Sequence, residues 1–153
     1  LEEIIIDTVY SAGTAANGRY ISIEPSDKLH IQYSMDYPQP IGKQEANFTI
    51  DNTEVFKNEI APARTFGSVK DYGRLEDMGL VKGGRLSNVV LVDEEKVINT
   101  SLRFTNEFAR HKILDIIGDL YLLGKPIKGK VVARMTGHTE NILLLKQIAQ
   151  HLK

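Results

Sequence analysis

The sequence predicts an α+β fold: a two-layer sandwich of a mixed, mainly antiparallel sheet packed by two helices, with a small strand-helix-strand insertion. Three observations lead there. Up to residue 50, short β-branched or alternating runs are separated by turn residues. In the last third, two segments carry apolar residues at the spacing of amphipathic helices. Between these regions, a helical pattern is followed by one apolar strand.

Residues 3–9 form a strongly β-branched run, and residues 19–24 set Tyr20, Ile21 and Ile23 among polar neighbours. Residues 28–35 alternate cleanly, with Leu29, Ile31, Tyr33 and Met35 on one face and Lys28, His30, Gln32 and Ser34 on the other. Turn clusters divide these runs: Ser11-Ala12-Gly13, the hairpin pair Asn17-Gly18, and Pro25-Ser26-Asp27. Residues 37–42, with two prolines, read as a loop and residues 44–50 as another strand. Antiparallel pairing is the economical arrangement. A short helix is expected over 53–58. Val69, Tyr72, Leu75 and Met78 then recur every third residue, an amphipathic helix stopped at Gly79. Gly83-Gly84 marks a turn before an apolar strand over 88–93, so residues 67–99 read as a compact insertion. Residues 106–123 are expected to be helical and residues 130–135 a strand. A closing helix over 138–152 carries Ile142, Leu145, Ile148, Ala149 and Leu152.

The chain of 153 residues fits one domain, and its 42% apolar and 25% charged content argues against disorder. A net charge of −1 predicts no broad attraction to nucleic acid or anionic membrane. With no cysteine, disulfides and thiolate metal sites are excluded, and a metal would have to use His, Asp, Glu or water. No apolar run approaches the ~18 residues of a membrane span, and the start lacks the pattern of a signal peptide. A cytoplasmic location is therefore expected. Because Leu1 replaces an initiator methionine, the chain is expected to be processed or part of a longer protein.

The long helix carries the most informative pattern. At about 100° per residue, Ile113, Ile116, Ile117 and Leu120 share one side, while His111, Lys112, Asp115, Gly118 and Asp119 lie opposite. A solvated face would show Glu and Lys among strong helix formers. This one accepts Gly118, at about 1 kcal/mol relative to alanine, which suggests room for a close approach. His111 and Asp115, one turn apart, can reach a single ion, or form an ordinary surface pair. Asp119, a turn further, is placed to orient a second imidazole. His138 follows Gly137 at a helix start, where the dipole disfavours the imidazolium and a carboxylate would favour it. His30 and His151 are expected to face solvent. Residues 79–84 followed by Arg85-Leu86 miss the lysine and hydroxyl of a phosphate loop and run from helix to strand, so that reading is rejected.

The run Leu102-Arg103-Phe104-Thr105-Asn106-Glu107-Phe108-Ala109-Arg110-His111-Lys112-Ile113-Leu114-Asp115-Ile116-Ile117-Gly118-Asp119-Leu120-Tyr121-Leu122-Leu123-Gly124 closely resembles a signature of the UDP-3-O-acyl-N-acetylglucosamine deacetylases. Two further segments match in order: Ala63-Arg64-Thr65-Phe66, and Gly137-His138 with Asn141 and Leu144. The likeness is strong over 62–129 and near His138; over the first sixty residues it is a similar strand pattern.

The resemblance implies a zinc hydrolase that removes the N-acetyl group of a UDP-linked, 3-O-acylated glucosamine, the committed step of lipid A synthesis. It implies His111 and Asp115 as zinc ligands and Lys112 as a contact to substrate polar groups. Asp119 would hold His138, which would serve as general acid or as a cationic stabiliser of the tetrahedral intermediate. Thr65 would donate to the developing oxyanion, Phe66 would pack against the sugar, and residues 67–99 would line the acyl-chain passage. A packed core face is the plainer use of most of the Val69, Tyr72, Leu75 and Met78 stripe.

Two departures are visible. Asn99-Thr100-Ser101 stands where the family commonly has a Pro-Glu-Gly-like turn, and Glu140 stands near an often apolar position, where it would alter the charge around His138. In that family a first domain of similar size supplies a third zinc ligand, a histidine, beside a glutamate base. Glu2, Glu3, Glu24, Glu45, Glu54 and Glu59 have no adjacent histidine to replace that pair. The chain is therefore expected to be the second, C-terminal domain of a two-domain enzyme, with the first as its partner and little activity alone. The competing expectation is a non-catalytic module binding a nucleotide sugar or a protein.

Overall fold

The computed structural model describes residues 2–77, Leu75 by its backbone alone, and 87–152. Among the described residues there are eight strands: β1 (Ile4–Ile5), β2 (Tyr10–Thr14), β3 (Arg19–Glu24), β4 (Leu29–Asp36), β5 (Lys43–Ile50), β6 (Thr65–Ser68), β7 (Val89–Val92) and β8 (Ile127–Arg134). Four helices accompany them: α1 (Thr53–Val55), α2 (Val69–Asp77), α3 (Glu107–Tyr121) and α4 (His138–His151). The α+β class and the two-layer plan hold.

The main sheet runs β2-β3-β8-β4-β5, with β1 also on β8. Its register builds two rows across the inner face. One is Tyr10, Ile23, Val131, Ile31 and Phe48; the other is Ala12, Ile21, Ala133, Tyr33 and Ala46. All but Phe48 are buried, as strict alternation on a half-covered sheet requires. Their polar neighbours, such as Ser22, Gln32 and Lys130, take the other face. On the inner face lie Ile113, Ile116, Ile117 and Leu120 of α3 and Leu144, Leu145 and Ile148 of α4, forming one core.

Hairpin logic accounts for β2–β3 and β4–β5, both antiparallel. Gly18 closes the first turn in the left-handed region at φ 72°. It does not account for β8, which slots between β3 and β4 and lies parallel to β4 and to β1. The reason is the α3 crossover, which returns the chain to the centre of the sheet in the direction of β4. The 3–9 run pairs only over Ile4–Ile5, and the 53–58 helix is one α turn continuing into a π turn over Phe56–Ile60.

The insertion is a strand-helix-strand unit, β6-α2-β7, with β6 and β7 parallel. Asn99 extends it by accepting from the Leu91 N–H at 2.8 Å and donating to the Val89 carbonyl at 2.7 Å. Val69 is exposed and Tyr72 half-buried, so these two members of the stripe do not form a packed core face. The Leu75 side chain, Met78, the stop at Gly79, the rejected 79–84 loop and the Gly83-Gly84 turn lie outside the described residues.

Candidate metal and acid-base site

Helix α3 carries Glu107, His111, Asp115 and Asp119 as an unbroken i, i+4 stripe, so consecutive members stand about one turn, ~6 Å, apart along its axis. The apolar side of the helix is committed to the sheet, which leaves this stripe facing the start of β6 at one end and the start of α4 at the other.

At the first end, Glu107 is fully buried and Arg64 nearly so. Arg64 Nε donates to Glu107 Oε1 at 2.8 Å and Nη2 to Oε2 at 3.2 Å, while the backbone N–H groups of Arg64 and Arg103 donate at 3.1 and 2.8 Å. Burial works to raise the Glu107 carboxyl, but the guanidinium and the two N–H groups outweigh it and hold it below the usual range. This ion pair fixes the segment leading into Thr65 and Phe66 against the helix.

One turn on, His111 Nδ1 lies 2.9 Å from the Ala63 carbonyl. A carbonyl can only accept, so Nδ1 carries the hydrogen and Nε2 is left to bind a cation. Nε2 stands 3.3 Å from Asp115 Oδ1. That is longer than a charge-assisted N–H···O contact of about 2.7–2.9 Å. It matches the separation of two donors held tetrahedrally at about 2.0–2.1 Å from one ion. The donor types also suit zinc, so the residues fit the metal. Among the described residues no third His, Cys, Asp or Glu joins the pair.

Lys112 Nζ lies 3.9 Å from Asp115 Oδ2 and 5.8 Å above the Phe66 ring. Phe66 in turn stacks on Phe108 at 4.5 Å and meets Tyr37 edge-on at 6.2 Å. Its ring is thus packed among Phe108, Tyr37 and the Lys112 cation. Thr65, first residue of β6, is exposed beside this cluster.

At the far end, Asp119 is buried and accepts from His138 Nδ1 with both oxygens, at 2.8 and 3.0 Å. Asn141 Nδ2 donates to Asp119 Oδ2 at 2.8 Å. The His138 side chain is 68% exposed, so its ring is clamped at one nitrogen and open at the other. The chain reaches His138 through Met135, held at φ 54°, a region unfavourable to a residue with a side chain. Tyr33 fixes this turn by donating to the Thr136 carbonyl at 2.8 Å. Glu140 does not reach toward His138; its carboxylate accepts from the Gly137 N–H at 3.0 Å and caps α4.

A profile of the UDP-3-O-acyl N-acetylglycosamine deacetylases matches residues 4–150. The chain belongs to this family. It is 39% identical over 130 residues to the UDP-3-O-acyl-N-acetylglucosamine deacetylase of Leptospira biflexa. It is 40% identical over 131 residues to that of Helicobacter hepaticus and 41% over 134 residues to that of Acidithiobacillus ferrooxidans. Each match covers 85% of this chain but only 43–44% of the relative. The chain therefore spans less than half the length of these deacetylases.

The structure thus gathers His111, Asp115, Lys112 and Phe66 at one end of a helix stripe, and Asp119 with His138 at the other. The sequence analysis quoted Arg64, Glu107 and Asn141 within the matching segments but assigned them no role in this candidate site. The i, i+4 spacing of Glu107 from His111 was the available signal for the second of these. A groove of about 840 Å³, lined by Leu29, Ile50, Phe56, Leu114, Gly118 and Tyr121 among others, runs along another flank of α3 and includes none of the stripe's acids or His111. Among the described residues no helix is long and apolar enough to cross a membrane.

Proposed function

We propose that this chain forms one wall of a zinc-dependent deacetylase site that hydrolyses the N-acetyl amide of UDP-3-O-(3-hydroxyacyl)-N-acetylglucosamine, the committed step of lipid A biosynthesis. The observation that carries the reading is the His111–Asp115 pair, with one imidazole nitrogen committed to Ala63 and the other 3.3 Å from the carboxylate. The printed activity of the relatives supports the substrate class. A nucleotide-sugar substrate supports a cytoplasmic location.

His111 and Asp115 would hold the zinc, which polarises an amide carbonyl and lowers the pKa of water when bound. His138, clamped by Asp119, delivers a proton to the departing amine or stabilises the oxyanion as a cation. Thr65 donates to that oxyanion. Lys112 meets the polar groups of the substrate, and Phe66 lies beside the sugar. The β6-α2-β7 unit lines the passage for the acyl chain.

Catalytic zinc sites take three protein ligands as a rule, and this chain offers two. With the coverage of the relatives, that supports the first domain of a two-domain protein as the source of the third ligand and the general base. The non-catalytic module is not favoured, since simple binding gives no use for a doubly held His138.

The test is zinc content and deacetylation in the complete two-domain protein. His111→Ala should lower both by more than the roughly 10–100-fold that loss of an outer-shell partner costs. Undiminished activity would overturn the ligand assignment, and robust turnover by the 153-residue chain alone would overturn the need for a second domain.

A further inference from the structure

One peptide group ties the two ends of a helical turn together. The carbonyl of Ala63 accepts from His111 Nδ1 at 2.9 Å, and the N–H on the other side of the same peptide bond, that of Arg64, donates to Glu107 Oε1 at 3.1 Å. Glu107 and His111 are one turn apart on α3, so the Ala63–Arg64 peptide lies across the turn with each polar end engaged. Glu107 is fully buried and its other contacts, to the Arg64 guanidinium and the Arg103 N–H, hold its oxygens in place. An anion on the N–H of a peptide draws electron density toward its carbonyl, and chained hydrogen bonds polarise one another in this way.

We propose that Glu107 is a positioning residue for His111, acting through the Ala63–Arg64 peptide to fix the ring in its Nδ1–H tautomer with Nε2 turned to Asp115. This rests on the reading of His111 as a metal ligand for its purpose, but the positioning itself needs no metal. It explains a buried carboxylate that touches no substrate group: the acid sets the carbonyl, and the carbonyl sets the imidazole. Carbonyl partners of this kind orient histidine ligands generally.

The test compares two variants of the 153-residue chain that both break the Arg64–Glu107 ion pair. Arg64→Met keeps the backbone N–H and the Glu107 carboxylate, whereas Glu107→Gln removes the anion beneath the peptide. Proton–nitrogen correlation spectra of the histidine rings, recorded without metal where the imidazoles are neutral, report the tautomer; the His111 signal is assigned by its loss in His111→Ala. The wild-type chain and Arg64→Met should show the Nδ1–H form, and Glu107→Gln a mixture with the Nε2–H form. In the complete two-domain protein, Zn2+ affinity, measured by competition with a chelating dye, should fall about 10-fold or more in Glu107→Gln relative to Arg64→Met. If Glu107→Gln does not fold, Glu107→Asp, which withdraws the carboxylate by one methylene, takes its place with the same expectation. An unchanged Nδ1–H tautomer in the folded Glu107 variant overturns the proposal. A complete two-domain protein whose His111 keeps that tautomer but which binds no Zn2+ overturns the metal reading instead and leaves the positioning role standing.

Discussion

Asn141 donates to Asp119 Oδ2 at 2.8 Å, and that same oxygen accepts from His138 Nδ1 at 2.8 Å. Asn141 and Asp119 are both buried, while the imidazole they serve is largely exposed. The carboxylate is therefore held from inside the protein and presents a fixed acceptor to a ring at the surface. The Asn141 Oδ1 and the Thr136 Oγ1 are buried and have no hydrogen-bond partner among the described residues.

Asn141→Leu should then leave Asp119 short of one bond in a buried setting. A loss of about 1–3 kcal/mol is expected, read as a lower urea midpoint at neutral pH. Asn141→Asp, which sets a second carboxylate against the first, should cost more at pH 7 than at pH 4, where one of the two acids can protonate. Equal losses at both pH values would contradict the Asp119–Asn141 contact.

The Arg64–Glu107 pair gives the fold an acid limit. The Glu107 carboxyl is held below its ordinary value of 4.5 in the folded chain. Its contribution to stability is complete above that value and is lost as the pH falls through the lower, folded one. The wild-type urea midpoint should drop steeply in that acid window. Glu107→Gln should be less stable at neutral pH and show a shallower drop. Arg64→Met strands a buried charge, and a cost of about 3–5 kcal/mol is expected.

Gly118 lies inside α3, and a Cβ built there meets nothing within 4 Å. Gly118→Ala should stabilise the isolated chain by up to about 1 kcal/mol through helix propensity alone. In the complete protein, reduced activity despite that gain would support the reading that the glycine leaves room for a close approach. Unchanged activity would assign the open space to solvent.

Gly129 sits on the central strand β8 under the opposite constraint. A Cβ there would stand 2.8 Å from Ile23 Cδ1 and Cγ1 and 3.1 Å from Ile6 Cγ1, and Ile23 is fully buried. Gly129→Ala should destabilise by about 1–3 kcal/mol through overpacking. Gly129→Ala combined with Ile23→Val, which removes the crowding methyl, should recover part of the loss. A thermal melt of the three chains would check both.

The alternation of Leu29, Ile31, Tyr33 and Met35 was enough to give β4 and its buried face, and the spacing of Ile113, Ile116, Ile117 and Leu120 gave α3 and its buried side. Both are local consequences of side-chain geometry against one apolar layer. The stripe of His111, Asp115 and Asp119 followed from the same periodicity, because a helix face is fixed by sequence distance alone. Periodicity offered Asp119 only as a group able to orient a second imidazole; its pairing with His138 came from the family resemblance.

What the sequence did not determine was anything that depends on chain segments far apart meeting. The position of β8 between β3 and β4 is set by where the α3 crossover returns, and adjacency along the chain favours hairpins that do not exist there. The Arg64–Glu107 pair joins residues 43 positions apart, and its worth comes from burial that no local pattern encodes. The peptide shared by Glu107 and His111 exists only because β6 is led against the first turns of α3. Sequence alone therefore named the chemical groups and the helix that carries them. Tertiary structure decided which nitrogen of His111 is free, what holds Asp119, and which backbone groups fix both, since hydrogen-bond partners are set by distance and angle rather than by spacing along the chain.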